Sequence, residues 1–179
     1  AIGDAVQATG TNANAIGKGA NAFGTNANAI GTLASASTNA NAIGNSASAS
    51  GGSSVAIGNQ TTSSGTNAIA LGNGATSLYN GIAIGDGAMS TDAQSIAIGG
   101  QSKSTGNISV AIGANSEAKD IQAVALGYSA IANNAYTTAV GADAHALGQN
   151  STALGTLSEA HGLNDLAVGT VAIANGGSA

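Results

Sequence analysis

A glycine preceded by Ala and then by Ile, Leu or Val recurs thirteen times, at Gly3, Gly17, Gly31, Gly44, Gly58, Gly72, Gly85, Gly99, Gly113, Gly127, Gly141, Gly155 and Gly169. The spacing is 14 residues except for two steps of 13, from Gly31 to Gly44 and from Gly72 to Gly85. A fixed period of this kind marks stacked structural units rather than a globular enzyme core. A weaker mark lies half a period on, at Gly10, Gly24, Gly51, Gly65, Gly106, Gly148, Gly162 and Gly176, with Asp92, Asp120 and Asn134 in the same slot. Gly, Asn and Asp tolerate left-handed backbone, so both marks are expected to be turns. Each unit is then two short strands and two turns, one coil of a flattened all-β solenoid. Thirteen such coils at about 4.8 Å each would make a rod of about 60 Å.

Alternation along a strand sorts the side chains into two faces. In the first strand, the residues one and three before the main glycine share a face: Val55 and Ile57, Ile69 and Leu71, Ile82 and Ile84, Ile96 and Ile98, Val110 and Ile112, Val124 and Leu126. The opposite face carries Ser54 and Ala56, Ser95 and Ala97, Ser109 and Ala111, Ala123 and Ala125. In the second strand one face is equally small, as in Ala47 and Ala49, Thr61 and Ser63, Ser102 and Ser104, Ala144 and Ala146. Its other face holds Lys103, Glu117, Lys119, His145, Glu159 and His161. Two small faces pack together across a thin interior, and the charged face meets water. The large aliphatic face of the first strand is left pointing out of the coil.

A ribbon of Ile, Leu and Val on the outside of one chain is an apolar patch that soluble monomers rarely carry. The expectation is a parallel oligomer, closed around an axis, with these strands at its centre. Spacing alone leaves two, three or more chains open. The units at 11–17, 25–31 and 38–44 place Asn14, Asn28 and Asn41 where Val or Ile sits in later coils. Facing the axis, these would form polar layers, read first as hydrogen-bonded Asn rings and second as rings that hold an ion or water. Asp165 falls at a small inward position, and nothing in the pattern accounts for it.

The segments SSVAIG (53–58), QSIAIG (94–99), ISVAIG (108–113) and QAVALG (122–127) resemble the repeated NSVAIG-type motif of YadA-like heads, which belong to trimeric autotransporter adhesins of Gram-negative bacteria. In this chain the opening Asn of the motif is replaced by Ser53, Gln94, Ile108 or Gln122. The resemblance covers essentially all of 1–179, read as one head β-roll of about 13 coils. It implies a left-handed parallel β-roll in a homotrimer, carried on a coiled-coil stalk and anchored by an outer-membrane β-barrel at the cell surface. It also implies adhesion to extracellular matrix proteins such as collagen, to host cells or to abiotic surfaces. The chain starts and stops inside the pattern without an initiator Met, so it is expected to be an internal piece of a longer fibre.

Other chemistries fit badly. Three Lys, no Arg and a net charge of −5 disfavour nucleic acid, since phosphate contacts need clustered cations. No run approaches the roughly 18 apolar residues of a membrane span. His145 and His161 lack the period-6 pattern of hexapeptide-repeat acyltransferases. The pairs Gly17–Gly19, Gly72–Gly74 and Gly85–Gly87 have no following helix to cradle a phosphate. Asp4, Asp86, Asp92 and Asp143 are scattered, whereas the Asp of calcium β-rolls recurs in every unit. No enzyme, no cofactor and no metal are expected. Three non-enzymatic functions compete: an adhesin head, a passive spacer of a surface fibre, and an ice-binding solenoid, for which the mixed Thr62, Ser64, Thr91, Lys103, Glu117 and His145 make a poor flat array. Phe23, Leu78, Tyr79, Tyr128 and Leu147 are candidate apolar contact points.

Overall fold

The computed structural model describes residues 1–176, and the chain falls into two compact units, Ala1–Ala88 and a second that begins at Met89. Each unit is a β-solenoid whose coil is the sequence repeat. In the first unit, three-residue strands at Asn14–Ile16, Asn28–Ile30, Asn41–Ile43, Val55–Ile57, Ile69–Leu71 and Ile82–Ile84 form one parallel sheet. Two-residue strands at Gln7–Ala8, Asn21–Ala22, Ser35–Ala36, Ser48–Ala49, Thr62–Ser63 and Thr76–Ser77 form a second parallel sheet.

The second unit repeats this plan. Its three-residue strands are Ile96–Ile98, Val110–Ile112, Val124–Leu126, Thr138–Val140, Thr152–Leu154 and Leu166–Val168. Its two-residue strands are Met89–Ser90, Lys103–Ser104, Glu117–Ala118, Ile131–Ala132, His145–Ala146, Glu159–Ala160 and Ile173–Ala174.

The interior of each unit is as thin as alternation requires. In the first, Ala15, Ala22, Ala29, Ala36, Ala42, Ala49 and Ala56 are buried in one cluster. In the second, Ala111, Ala118, Ala125, Ala132, Ala139, Ala146 and Ala153 play the same part. The largest fully buried side chains are Thr61 and Thr137. Buried hydroxyls need partners, and the turns supply several of them, although Ser77 and Ser151 Oγ have none. Ser54 Oγ donates to the Gly51 carbonyl at 2.7 Å, Ser109 to Gly106 at 2.6 Å, and Ser116 to Gly113 at 2.8 Å. Across the thickness of a coil, the hydroxyls of Ser104 and Ser109 lie 2.6 Å apart.

The main glycines occupy backbone that L side chains avoid. Gly44, for instance, has φ 138°, and a Cβ added there would lie 2.1 Å from the carbonyl oxygen of Gly58, one coil on. Most half-period glycines differ from the sequence expectation of left-handed backbone, which only Gly176, at φ 127°, meets among the described ones. Gly10, Gly24, Gly51, Gly65, Gly106 and Gly148 are absent from the positive-φ residues, as are Asp92, Asp120 and Asn134. Close stacking is their constraint instead: a Cβ on Gly51 would sit 2.0 Å from the carbonyl oxygen of Gly65. The left-handed residues come two positions after the main glycine, as at Leu33, Ser46 and Gln60, and five before it, as at Asn26, Asn39, Ser53 and Asn67. The second set is the opening position of the NSVAIG-type motif. Its Asn is therefore a conformational residue, since Asn adopts left-handed backbone at lower cost than most side chains. Ile108, at φ 56°, fills the same site against its preference.

The two 13-residue coils lose their residue from the half-period turn. The turn after Ser35–Ala36 closes with Ser37, whose Oγ donates to the Gly51 carbonyl at 2.8 Å. The turn after Thr76–Ser77 closes with the Gly81 N–H donating to the Leu78 carbonyl at 2.7 Å. Strand register is untouched, with Asn28 opposite Asn41 and Ile69 opposite Ile82. A deletion inside a strand would have exchanged the inner and outer faces.

Candidate functional surface

Register puts every large aliphatic of the three-residue strands on the outward face. In the first unit Val55, Ile69 and Ile82 stand in one row, and Ile43, Ile57, Leu71 and Ile84 in the next. In the second unit Ile96, Val110 and Val124 are paired in the same way, beside Ile98, Ile112 and Leu126. None is buried within the chain: Ile43 is 38% exposed, Ile57 and Ile112 are each 40% exposed, and the others are half-buried. What cover they have is lateral, each side chain lying against its counterpart one coil away. The outward tips have no partner within either unit.

Asn14, Asn28 and Asn41 share that outward face, in register with Val55. Their amides form a ladder along the chain, Asn14 Nδ2 donating to Asn28 Oδ1 at 3.0 Å and Asn28 Nδ2 to Asn41 Oδ1 at 2.9 Å. Comparable ladders line the turns, a feature the sequence reading missed. Asn45 donates to Asn59 at 3.1 Å, Asn59 to Asn73 at 2.9 Å, and Asn73 to Asp86 at 2.8 Å. The signal was present, because Asn follows the main glycine in three successive coils and Asp in the fourth. A carboxylate only accepts, so Asp86 suits the last rung.

The outer face of the two-residue strands changes character between the units. In the first it is uncharged, with Ser35, Ser48, Thr62 and Thr76 in register. In the second, Glu117 Oε1 meets Lys103 Nζ at 3.1 Å and Oε2 meets Lys119 Nζ at 3.0 Å. The hydrogen bond from Lys119 chiefly holds the Glu117 carboxyl below its usual range, with Lys103 adding to it and partial burial opposing it. Farther along, His161 Nε2 lies 2.8 Å from Glu159 Oε2, and His145 is paired in register with Glu159. Phe23, Tyr79 and Tyr128 are exposed, whereas Leu78 and Leu147 are half-buried.

Asp165 now has an account. The residue is only 7% exposed, and Oδ2 accepts the backbone N–H of Gly162 at 2.7 Å and of Gly176 at 3.0 Å. Ser54, Ser95 and Ser109 at the same inward slot donate to a turn carbonyl; Asp165 instead ties together the amides of two successive turns.

The family model of the YadA head domain repeat, which spans two copies of the repeat, matches residues 8–34, 35–61, 49–75, 79–102, 93–116, 104–130, 118–144, 132–158 and 146–172. The chain belongs to the YadA head family. No curated protein gives a match. The match repeats along nearly the whole chain, as expected if each coil is one copy of the family's repeat. A YadA head is a β-roll associated with adhesion and an extracellular setting. Among the described residues no three His, Asp or Glu come together as a metal site, and no helix is long and apolar enough to cross a membrane.

Proposed function

We propose that this YadA head segment is the adhesive part of a bacterial surface fibre, and that it works as a parallel homotrimer. The observation that carries the reading is the row of Ile, Leu and Val on the outward face of the three-residue strands, none of them buried within the chain. Water contact along that row is unfavourable by roughly 25 cal/mol per Å² of apolar surface. A sister chain offers the same row with the same spacing, so coil meets coil at every level. The resemblance to trimeric autotransporter heads favours three chains over two or more than three. Ile57, Val55, Leu71, Ile69, Ile84, Ile98, Ile112, Val110 and Leu126 are the interface residues of this reading, with Asn14, Asn28 and Asn41 as its polar end.

With the aliphatic face turned to the axis, the turns and the outer face of the two-residue strands are what a ligand meets. Those surfaces carry the Asn ladders, the hydroxyl rows and the Lys103–Glu117–Lys119 cluster, a broad polar surface suited to many weak contacts. A stalk and an outer-membrane barrel elsewhere in the fibre would hold the head at the surface of a Gram-negative cell.

Two measurements test this. The mass in solution should be three times the 16.6 kDa of one chain; a stable, folded species of one chain's mass refutes the assembly. The assembled head should then be retained on immobilised collagen or other matrix protein, on host cells, or on plastic. A trimer retained on none of these is a spacer.

A further inference from the structure

We propose that Asn14, Asn28 and Asn41 set the register in which sister chains align, acting as a key among coils whose outward faces are otherwise largely apolar. The inference rests on the parallel assembly of the preceding section. After the Asn levels, the position three before the main glycine reads Val55, Ile69 and Ile82 in the first unit and Ile96, Val110, Val124, Thr138, Thr152 and Leu166 in the second, where the two Thr still present a methyl group, and the position one before it is always Ile, Leu or Val. A chain displaced by one whole coil would meet nearly the same hydrocarbon surface, so apolar contacts discriminate poorly between registers. The Asn levels do discriminate.

Each amide has two N–H donors and a carbonyl with two lone pairs. The ladder from Asn14 through Asn28 to Asn41 takes one N–H and one lone pair of its middle rung, leaving the others directed away from the chain's own partners. The ladder stops at Asn41 because its neighbour in register is Val55, which accepts nothing. Once a sister chain covers this face, the remaining N–H and C=O groups find partners only on another amide at the same level. Aligned chains place Asn beside Asn. A shift of one coil sets Asn41 against the partner subunit's Val55 and buries its amide unpaired, which is costly. A single polar layer fixes alignment in coiled coils by the same logic, at some expense of stability.

The chain contains no Cys, so introduced cysteines report alignment cleanly. Chains carrying Ile57→Cys and a differently tagged set carrying Ile84→Cys are refolded together and oxidised. These positions are two coils apart, about 10 Å at the usual strand spacing, beyond the roughly 7 Å Cα reach of a disulfide. Aligned chains therefore give only like-with-like bridges. In the Asn14→Val/Asn28→Val/Asn41→Val background, mixed bridges should rise at least tenfold while the assembled mass is unchanged. Loss of end overlap on slipping is common to both backgrounds, so the difference isolates the Asn rungs. A triple variant that keeps like-with-like bridging overturns the proposal and leaves the assembly standing. Parent chains with the mass of one subunit overturn the assembly and this inference together. Should the cysteine chains fail to fold, mixing unmodified and triple-variant chains decides: the proposal expects enrichment of unmixed assemblies by native mass, and a binomial mixture overturns it.

Discussion

Substituting Gly44 by Ala tests the stacking argument most directly. At φ 138°, the backbone of Gly44 lies where an alanine is strained by about 1–3 kcal/mol. The new Cβ would stand 2.1 Å from the Gly58 carbonyl oxygen and 2.6 Å from its carbonyl carbon. Ordinary carbon–oxygen contact begins near 3.3 Å, so the two coils must part by about 1 Å. That opening loosens the bonds from Gly58 N–H to the Ile43 carbonyl at 2.9 Å and from Gln60 N–H to the Asn45 carbonyl at 2.8 Å, which join these two coils. At about 0.5–1.5 kcal/mol each, the combined destabilisation is about 2–6 kcal/mol.

The control is Gly52, eight residues away, where a Cβ meets nothing within 4 Å and φ is not positive. Gly52→Ala should be neutral or stabilising by about 0.4–1 kcal/mol through the unfolded chain. Urea denaturation followed by far-ultraviolet circular dichroism compares the two. Hydrogen exchange locates the damage, which should stay near the coils that contain residues 30–58 because each coil touches only its neighbours. A Gly44→Ala protein within about 0.5 kcal/mol of the parent, or a Gly52→Ala protein as weakened as Gly44→Ala, would refute the reasoning.

Three further outcomes follow from individual contacts. Glu117→Gln should flatten the acid limb of the stability profile: the depressed carboxyl pKa stabilises the fold above the unfolded value of about 4.3, and the gain vanishes as pH falls through the lower folded value. The exposed setting limits the effect to less than about 1 kcal/mol, readable as the difference between denaturation midpoints at neutral and acid pH. Asp165→Ala should cost about 1–3 kcal/mol and speed hydrogen exchange at the Gly162 and Gly176 amides, which lose their shared acceptor; unchanged exchange there would contradict the assignment. Ile108→Asn should raise thermal stability, by about 1 kcal/mol, because it puts a residue tolerant of left-handed backbone at φ 56°; a lower melting temperature would mean that the Ile108 side chain contributes more than its backbone strain costs.

The amino-acid sequence by itself determined the coil, its two sheets and the sorting of side chains. Those follow from a 14-residue period and from alternation, and burial of Ala56 beside exposure of Ile57 is legible from their positions alone. Tertiary structure decided what depends on the contact between successive coils. Gly51 and Gly44 look equivalent in the sequence, yet one is held by stacking and the other also by its φ. Asp165 looks misplaced until the Gly162 and Gly176 amides are seen to converge on it. The Asn ladders need coils stacked in register before any amide reaches the next. The physical reason is common to all three. Periodicity reports which way a side chain points, a property of one strand, whereas close approach between backbones is fixed only when one coil settles upon another.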